Sequence, residues 1–479
     1  MSSQSAIILG VAIALLGSLT MSLIKSRRKQ GLNEFFYAGK TLKIWQVVHL
    51  LLSGSFAMNG LLYQTFLGFK IGWAAIIMQV IWCISYILIS RRAAKIKELT
   101  SRGTLHTAIG NAFGLTAGKL AAIATLIGFT IQIGWELIVG VSVFGNSFTN
   151  NPNYSIWLII AIILICITYT ISGGLRGSAW TNVFQNWVSI VAILILCGFL
   201  IHGYNPTSLG RPWDSGSFGR LISELGISFF ITNALFSIFW QFVDFSTWQD
   251  LGSGEGDQKQ AKSTLYWSSL WVFIFPGVVG TVAGMYLRGT AGIDPNNLFP
   301  HIIGLISHNT FLLVLVVTGC VTAMLSTIDG FLLATSQVAV WDLFFANKVK
   351  RANDDHDSDT QHKLTNYGRA FILLFGLIGS ILIYYITTAY KIDIFSLVYL
   401  VTIAQMILVP IVLLLLFSKS PSNFKFGSLS IGLGLITGLV IVCYGIATGN
   451  QDVLAWSPTI CLVVSCIPQT YNLLTPKTV

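Results

Sequence analysis

Charged residues are scarce in this chain of 479 residues, where Asp, Glu, Lys and Arg together make up 10% and hydrophobic residues 54%. Soluble globular domains carry about 25% charged residues. The deficit therefore excludes an ordinary soluble domain. It predicts an all-α protein that crosses the membrane many times.

The signatures of several enzyme and metal classes are also missing. The glycine-containing segment 169–185 lacks the GKT or GKS ending of a phosphate-binding loop, which excludes nucleotide binding of that kind. No nucleophile paired with a base, and no metal-ligand spacing, occurs outside the acidic segment 347–366, which we interpret as a solvated loop, so we do not expect an enzyme. The seven cysteines lie in apolar stretches and no two bracket an external loop, so we expect no disulfide and no metal cluster.

Long apolar stretches dominate what is present, and thirteen of them approach the length of about 20 residues that a membrane span needs. Basic residues follow the first stretch instead of preceding it, so we interpret it as a span with its N-terminus outside and not as a signal peptide. The C-terminus is then inside, and all but five of the 28 Lys and Arg are cytoplasmic. The stretches are 6–24, 44–69, 73–90, 120–144, 157–171, 187–201, 222–245, 266–286, 311–345, 370–388, 394–417, 429–448 and 454–474. The five basic residues outside are Lys70, Arg211, Arg220, Arg288 and Lys391.

Four spans carry polar groups that hydrocarbon disfavours. Segment 53–60 crowds Gly, Ser and Asn together, which indicates either a helix broken around an ion or close helix packing. Segment 239–250 interleaves polar and aromatic residues, as small-molecule pockets and interfacial aromatic belts both do. Gln132 and Glu136 share one helix face, where a carboxylate should be functional, paired or protonated. Segment 323–330 places two adjacent hydroxyls in a run too apolar for a surface helix, which indicates a cation site.

The interruptions at 53–60 and 244–250 are five spans apart. This spacing is typical of two five-helix inverted repeats with a site at the membrane midplane between their broken helices. We therefore expect four parts: an extra span and interfacial segment (1–43), a first repeat (44–221), a second repeat (222–417) and two C-terminal spans (418–479).

Three motifs, in this order, resemble those of the sodium/solute symporter family, which has the leucine-transporter-like inverted-repeat fold. They are FYAGKTL at 36–42, YTISGGL at 169–175 with WTNVFQ at 180–185, and AMLSTID at 323–329 with WDLF at 341–344. The similarity extends over nearly the whole chain. It implies two broken helices and about 13 transmembrane helices.

The resemblance also implies a sodium ion between the broken first core helix and the eighth. Neutral oxygens suit a hard monovalent cation that binds weakly and reversibly. Asn182 stands where members with a second sodium site have an aspartate, so we expect one sodium ion per cycle and interpret Asp329 as a packing or gating carboxylate. The implied ligands are the backbone oxygens of Ser55, Met58 and Ala323 and the hydroxyls of Ser326 and Thr327.

The solute should bind beside this ion. Two acids and several amides favour a polar solute, amide-bearing or cationic, over a simple carboxylate. The expected lining residues are Asn59, Gly60, Gln79, Gln132, Glu136, Trp240, Gln241, Asp244 and Gln405.

These features together predict a sodium-coupled secondary symporter of a small polar organic solute, with Na+ as coupling ion and no organic cofactor. Glu136 and Asp244 leave open proton-coupled or sodium-independent transport, and the fold leaves open a solute sensor that no longer transports. The expected partners are the solute and the lipid bilayer, without nucleic acid, because anionic headgroups suffice to match the net charge of +10. We expect a monomer or weak homo-oligomer in the plasma (cell inner) membrane.

Overall fold

The computed structural model describes residues 2–26, 30–145, 153–202, 217–288, 293, 298–355, 357–390 and 396–474. Within these ranges the chain is helical, and its sole strand-like feature is an isolated bridge between Leu42 and Gly254. Two of the basic residues assigned to the outside, Arg211 and Lys391, lie beyond the described ranges.

The helices follow one another closely along the chain. The first eleven are α1 (Ser3–Lys25), α2 (Leu32–Tyr37), α3 (Ile44–Ser53), α4 (Met58–Ile71), α5 (Ala75–Ser90), α6 (Ala93–Arg102), α7 (Leu105–Phe113), α8 (Leu115–Gly145), α9 (Asn153–His202), α10 (Ser217–Leu225) and α11 (Ile227–Val243). The others are α12 (Phe245–Ser253), α13 (Gln258–Val272), α14 (Gly280–Arg288), α15 (Leu298–Ile306), α16 (Thr310–Gln337), α17 (Ala346–Asp354), α18 (Ser358–Tyr390), α19 (Ser396–Met406), α20 (Val409–Phe417), α21 (Gly427–Thr448) and α22 (Gln451–Leu474). Two π-helical segments occur, Phe273–Val279 between α13 and α14, and Val338–Phe344 after α16.

Ten helical stretches in the described part of the chain are long and apolar enough to cross a membrane, or eleven if the bent pair α19 and α20 counts as one span. The protein is therefore an all-helical, multi-pass membrane protein. The expected fifth and sixth spans both lie in α9, which turns at Gly174 alone instead of through a longer joint. The acidic segment 347–366, expected to be a solvated loop, is instead mostly helical, because α17 and the first turns of α18 occupy it.

Gly174 shows why a single residue can end one helical segment and begin the next. Its φ of 54° is in the region that favours glycine, and a Cβ there would lie 2.8 Å from the carbonyl oxygen of Phe35. The turn in α9 and the docking of α2 against it therefore depend on the same glycine.

The core of the molecule is centred on α16, in which nearly every residue after Leu312 is buried. This helix packs against α1, α8, α9 and α18, so protein instead of lipid surrounds its middle. The hydroxyls of segment 323–330 are thus in the interior of the bundle, where polar groups require partners.

Candidate ion and solute sites

The second apolar stretch is a broken helix. The first half, α3, ends at Ser53 and the second half, α4, begins at Met58. Glu136 on α8 closes the gap, because its carboxylate accepts hydrogen bonds from the backbone N–H of Met58 at 2.6 Å and of Asn59 at 3.3 Å. A carboxylate at a helix N-terminus satisfies N–H groups that the helix itself leaves free.

On α16, three of the expected sodium ligands lie together. Ser326 Oγ donates to the carbonyl oxygen of Ala323 at 2.8 Å, and Thr327 Oγ1 lies 3.3 Å from the same oxygen. Thr327 also donates to the carbonyl oxygen of Ser53 at 2.9 Å. The break in the first core helix and the hydroxyls of α16 are therefore in direct contact.

Ser55 and Met58, whose backbone oxygens are the other two expected ligands, lie at the break between α3 and α4. The Ser55 hydroxyl is 3.0 Å from the Tyr86 hydroxyl and accepts from Trp82 Nε1 at 3.1 Å, while the Met58 amide is bound to Glu136. Among the described residues, neither Ser55 nor Met58 forms a hydrogen bond with α16. Ser53 was not among the residues expected from the sequence, although as the last residue of a helix it has a carbonyl without a helical N–H partner.

A buried carboxylate lies close to the motif at 180–185. Asp329 is fully buried and Oδ2 accepts from Thr181 Oγ1 at 3.2 Å, whereas Oδ1 has no hydrogen-bond partner in the described part of the chain. Asn182 Oδ1 is likewise buried and unpartnered. A carboxylate therefore lies beside Thr181, but it belongs to Asp329 of α16, because position 182 is an asparagine.

A second broken helix joins α11 to α12 at Asp244. The Asp244 carboxylate caps α12, accepting from the backbone N–H of Ser246 and Thr247 and from both their hydroxyls. Gln241 accepts from Thr247 Oγ1 at 2.8 Å. These two expected solute ligands are therefore occupied in holding the break together.

A cavity of about 110 Å³ lies between the broken helix and α5, α8 and α11. Five of the nine expected solute residues line it: Asn59, Gly60, Gln79, Gln132 and Trp240. Glu136, Gln241, Asp244 and Gln405 are not in its lining. Other polar and aromatic residues that the sequence did not indicate also line the cavity, among them Tyr63, Trp82, Trp135, Asn233 and Phe236.

A buried polar cluster that the sequence did not indicate surrounds His106 and Asp342. His106 Nδ1 on α7 lies 2.9 Å from Asp342 Oδ2 beyond α16, and Thr104 donates to the other carboxylate oxygen. His106 Nε2 lies 2.9 Å from the Thr125 hydroxyl, and the ring stacks on Phe245 with centroids 4.9 Å apart. The cluster ties α7, α8, α12 and the end of α16 together.

Comparison with known proteins identifies relatives over part of the sequence. A family model described as the sodium:solute symporter family matches residues 35–208. A sodium-dependent multivitamin transporter of Oryctolagus cuniculus is 29% identical over 114 residues. That alignment covers 23% of this chain and spans only 17% of the length of the relative.

Comparison with solved structures extends to almost the whole chain. A Na+-coupled sialic acid symporter in a substrate-bound outward-open state has a TM-score of 0.75 at 14% identity, with 98% of each chain covered. A nucleobase-cation-symport-1 family transporter, closed with bromovinylhydantoin bound, has a TM-score of 0.54 at 13% identity, with 91% of this chain and 94% of that chain covered. At such identities the likeness establishes the fold. The resemblance of the chain to the sodium/solute symporter family is therefore confirmed over residues 35–208, and the fold that it implies is found in solved symporters over almost the whole chain.

Proposed function

We propose that the protein is a sodium-coupled symporter of a small polar organic solute and works by alternating access. The observation that carries this proposal is the contact between Thr327 on α16 and the Ser53 carbonyl at the break between α3 and α4. An ion bound there would hold the two helices together, and its release would allow them to separate. Transport by such ion-dependent movement of two helices requires no enzyme chemistry.

The proposed ion ligands are neutral oxygens. The hydroxyls of Ser326 and Thr327 both lie within hydrogen-bonding distance of the Ala323 carbonyl, which supports the three as a set. The contact of Ser53 with Thr327 supports its carbonyl as a ligand from the broken helix. Ser55 and Met58, which the family motif implies, complete the proposed set.

One sodium ion per cycle is the proposed stoichiometry, because position 182 is an amide. Asp329, which accepts from Thr181 Oγ1, is then a packing or gating carboxylate and not an ion ligand. Glu136 favours the alternative of proton coupling, since it is a fully buried carboxylate at the break itself. Comparing uptake in sodium and in choline at two pH values separates the two coupling ions.

The proposed topology has thirteen spans, with the N-terminus outside and the C-terminus inside a plasma-type membrane. Two of the ten candidate spans each contain a glycine with positive φ, Gly72 in one and Gly174 in the other. If these two helical stretches are counted as two spans each, and the bent pair α19 and α20 is added as one more, the total is thirteen. The breaks at α3/α4 and α11/α12 support the inverted repeats 44–221 and 222–417. Segments 1–43 and 418–479 would then lie outside the repeats.

A sodium-dependent gain in stability tests the ion site without knowledge of the solute. A ligand at ten times its Kd stabilises the protein by about 1.4 kcal/mol. We therefore expect sodium chloride to raise the Tm of the purified protein above its value in choline chloride, and the double variant Ser326→Ala/Thr327→Ala to lose this increment.

Thr335→Ala is the matched control, because the Thr335 hydroxyl bonds only to carbonyls of its own helix. It should retain the sodium increment in full. An equal increment in the double variant would contradict the proposed site.

A further inference from the structure

The cavity beside the broken helix is lined by several polar groups that have no hydrogen-bond partner among the described residues. Asn59 Nδ2, Tyr63 OH and Trp135 Nε1 are buried and have no hydrogen-bond partner in the described part of the chain. Gln132 is 7% exposed and forms no side-chain hydrogen bond with any described residue. Buried polar groups are almost always paired, so the three buried atoms, together with the free carboxamide of Gln132, indicate a ligand that pairs with them.

The other carboxamides of the lining are already engaged. Gln64 Nε2 donates to Ala75 O and to Thr281 Oγ1, and Gln79 Nε2 donates to Val272 O at 3.1 Å. Asn233 Nδ2 donates to the carbonyl of Phe229 at 2.8 Å. Recognition of the ligand therefore rests on Asn59, Gln132 and the two aromatic donors.

No lining residue of the cavity is charged, within the part of the chain that the structure describes. A carboxylate buried without a cationic partner carries a large desolvation penalty. In addition, the N-terminus of α4, which would attract an anion, is already filled by the Glu136 carboxylate through the N–H groups of Met58 and Asn59. The site thus disfavours an anionic ligand.

The unpaired groups also distinguish among neutral ligands. Asn59 Nδ2 and Trp135 Nε1 can only donate, so they suit carbonyl oxygens better than the hydroxyls of a polyol, each of which also needs an acceptor. The free carboxamide of Gln132 presents a donor and an acceptor side by side and can pair with both atoms of a cis amide.

The size of the cavity and its aromatic wall also favour a cyclic, planar ligand. The cavity of about 110 Å³ is similar in size to the engineered cavity of about 150 Å³ that binds benzene, which suits a ligand with a single ring. One wall consists of Trp82, Phe236 and Trp240, whose ring centroids are 4.8 Å to 6.0 Å apart. Aromatic walls of this kind stack on planar rings.

We propose that the transported solute is an uncharged, single-ring cyclic amide or imide, held by Asn59, Gln132 and Trp135 against the wall of Trp82, Phe236 and Trp240. This inference rests on the proposed transport function and names its substrate class. Glu136 acts in it as a specificity residue, because its carboxylate occupies the place where a solute carboxylate would bind.

The test is direct binding to the purified full-length protein in sodium buffer. The probes are three cyclic amides and imides (uracil, 2-pyridone and glutarimide), one anion of similar size (benzoate) and one neutral polyol (glucose), each at millimolar concentration. At least one of the three cyclic probes should bind, whereas benzoate and glucose should not. Binding of benzoate or glucose, or binding of none of the cyclic probes, overturns the proposal.

Variants then test the assigned contacts. Gln132→Ala and Asn59→Ala should each weaken binding of the cyclic probe at least tenfold, which corresponds to about 1.4 kcal/mol of binding free energy. The matched control is Gln469→Ala on α22, a buried carboxamide that also lacks a partner among the described residues but is not in the cavity lining. It should bind like the unmodified protein, and an equal loss in the control and in Gln132→Ala contradicts the assignment.

Measuring the sodium-dependent increase in Tm without any solute distinguishes a failure of the proposed substrate class from a failure of the proposed ion site. If the increment is present and no cyclic probe binds, only the substrate class is wrong. If the increment is absent while a cyclic probe binds, the ion site is wrong and the substrate class stands.

Discussion

At Glu136 a membrane-embedded carboxylate is held by the end of another helix. It accepts from two backbone N–H groups at the start of α4, and the residue is fully buried. Such N–H groups have no helical partner of their own, so the position of α4 relative to α8 depends on this one side chain.

Glu136→Ala should therefore destabilise the protein, because each buried N–H left without an acceptor costs about 1–3 kcal/mol. Thermal unfolding of the purified variant measures the loss. Acetate should restore part of it by binding at the helix N-terminus in the space that the Glu136 side chain leaves.

Glu136→Gln is the control for this prediction, since its amide keeps one acceptor oxygen. It should lose less stability than Glu136→Ala and show no response to acetate. Equal Tm values for Glu136→Ala and the unmodified protein would contradict the capping role.

At the proposed ion site, the sequence indicates some of the residues and not others. Ser326 and Thr327 stand out because two hydroxyls occur in an apolar run, and the structure places them against Ala323. The contact with Ser53 could not be predicted, since it depends on α3 ending two residues earlier than Ser55. The sequence indicates that Glu136 needs a partner, but its partners are 77 and 78 residues away.

Among the elements, α9 shows most clearly how local conformation and packing depend on each other. Its turn at Gly174 has positive φ and lies against Phe35 of α2. The sequence shows glycines at this position but predicts a longer joint, because polar residues interrupt the apolar pattern between 172 and 186. In the structure several of them, including Ser178, Thr181 and Gln185, are buried within the helix.

Gly174→Ala should destabilise the protein by about 1–2 kcal/mol from the left-handed conformation alone, and by more because of the contact with Phe35. Thermal unfolding measures this loss. Gly198→Ala on the same helix is the control, because nothing lies within 4 Å of a Cβ there.

Since alanine is the better helix former by about 1 kcal/mol, Gly198→Ala should be neutral or stabilising. If both variants lose the same stability, the turn of α9 does not depend on the glycine at position 174.

For the molecule as a whole, the apolar stretches predict a helical, multi-pass protein, and the polar interruptions at 53–60 and 244–250 coincide with the breaks at α3/α4 and α11/α12. The number of spans is harder to predict, because α9 and the stretch from α4 to α5 each turn at a glycine with positive φ and continue as one long helical stretch. The cluster of His106 and Asp342 also emerges only in the fold, since its two residues are 236 positions apart.

The central claim is that a sodium gradient drives solute uptake through this fold. One positive charge moving inward with the solute at 100 mV supplies about 2.3 kcal/mol, or about 50-fold accumulation. The most direct measurement is uptake of the cyclic solute that binds best, labelled and assayed in proteoliposomes with either sodium or choline outside. We expect accumulation above equilibrium in sodium, none in choline, and loss of the sodium dependence in Ser326→Ala/Thr327→Ala; equal uptake in the two buffers by the unmodified protein would contradict the account.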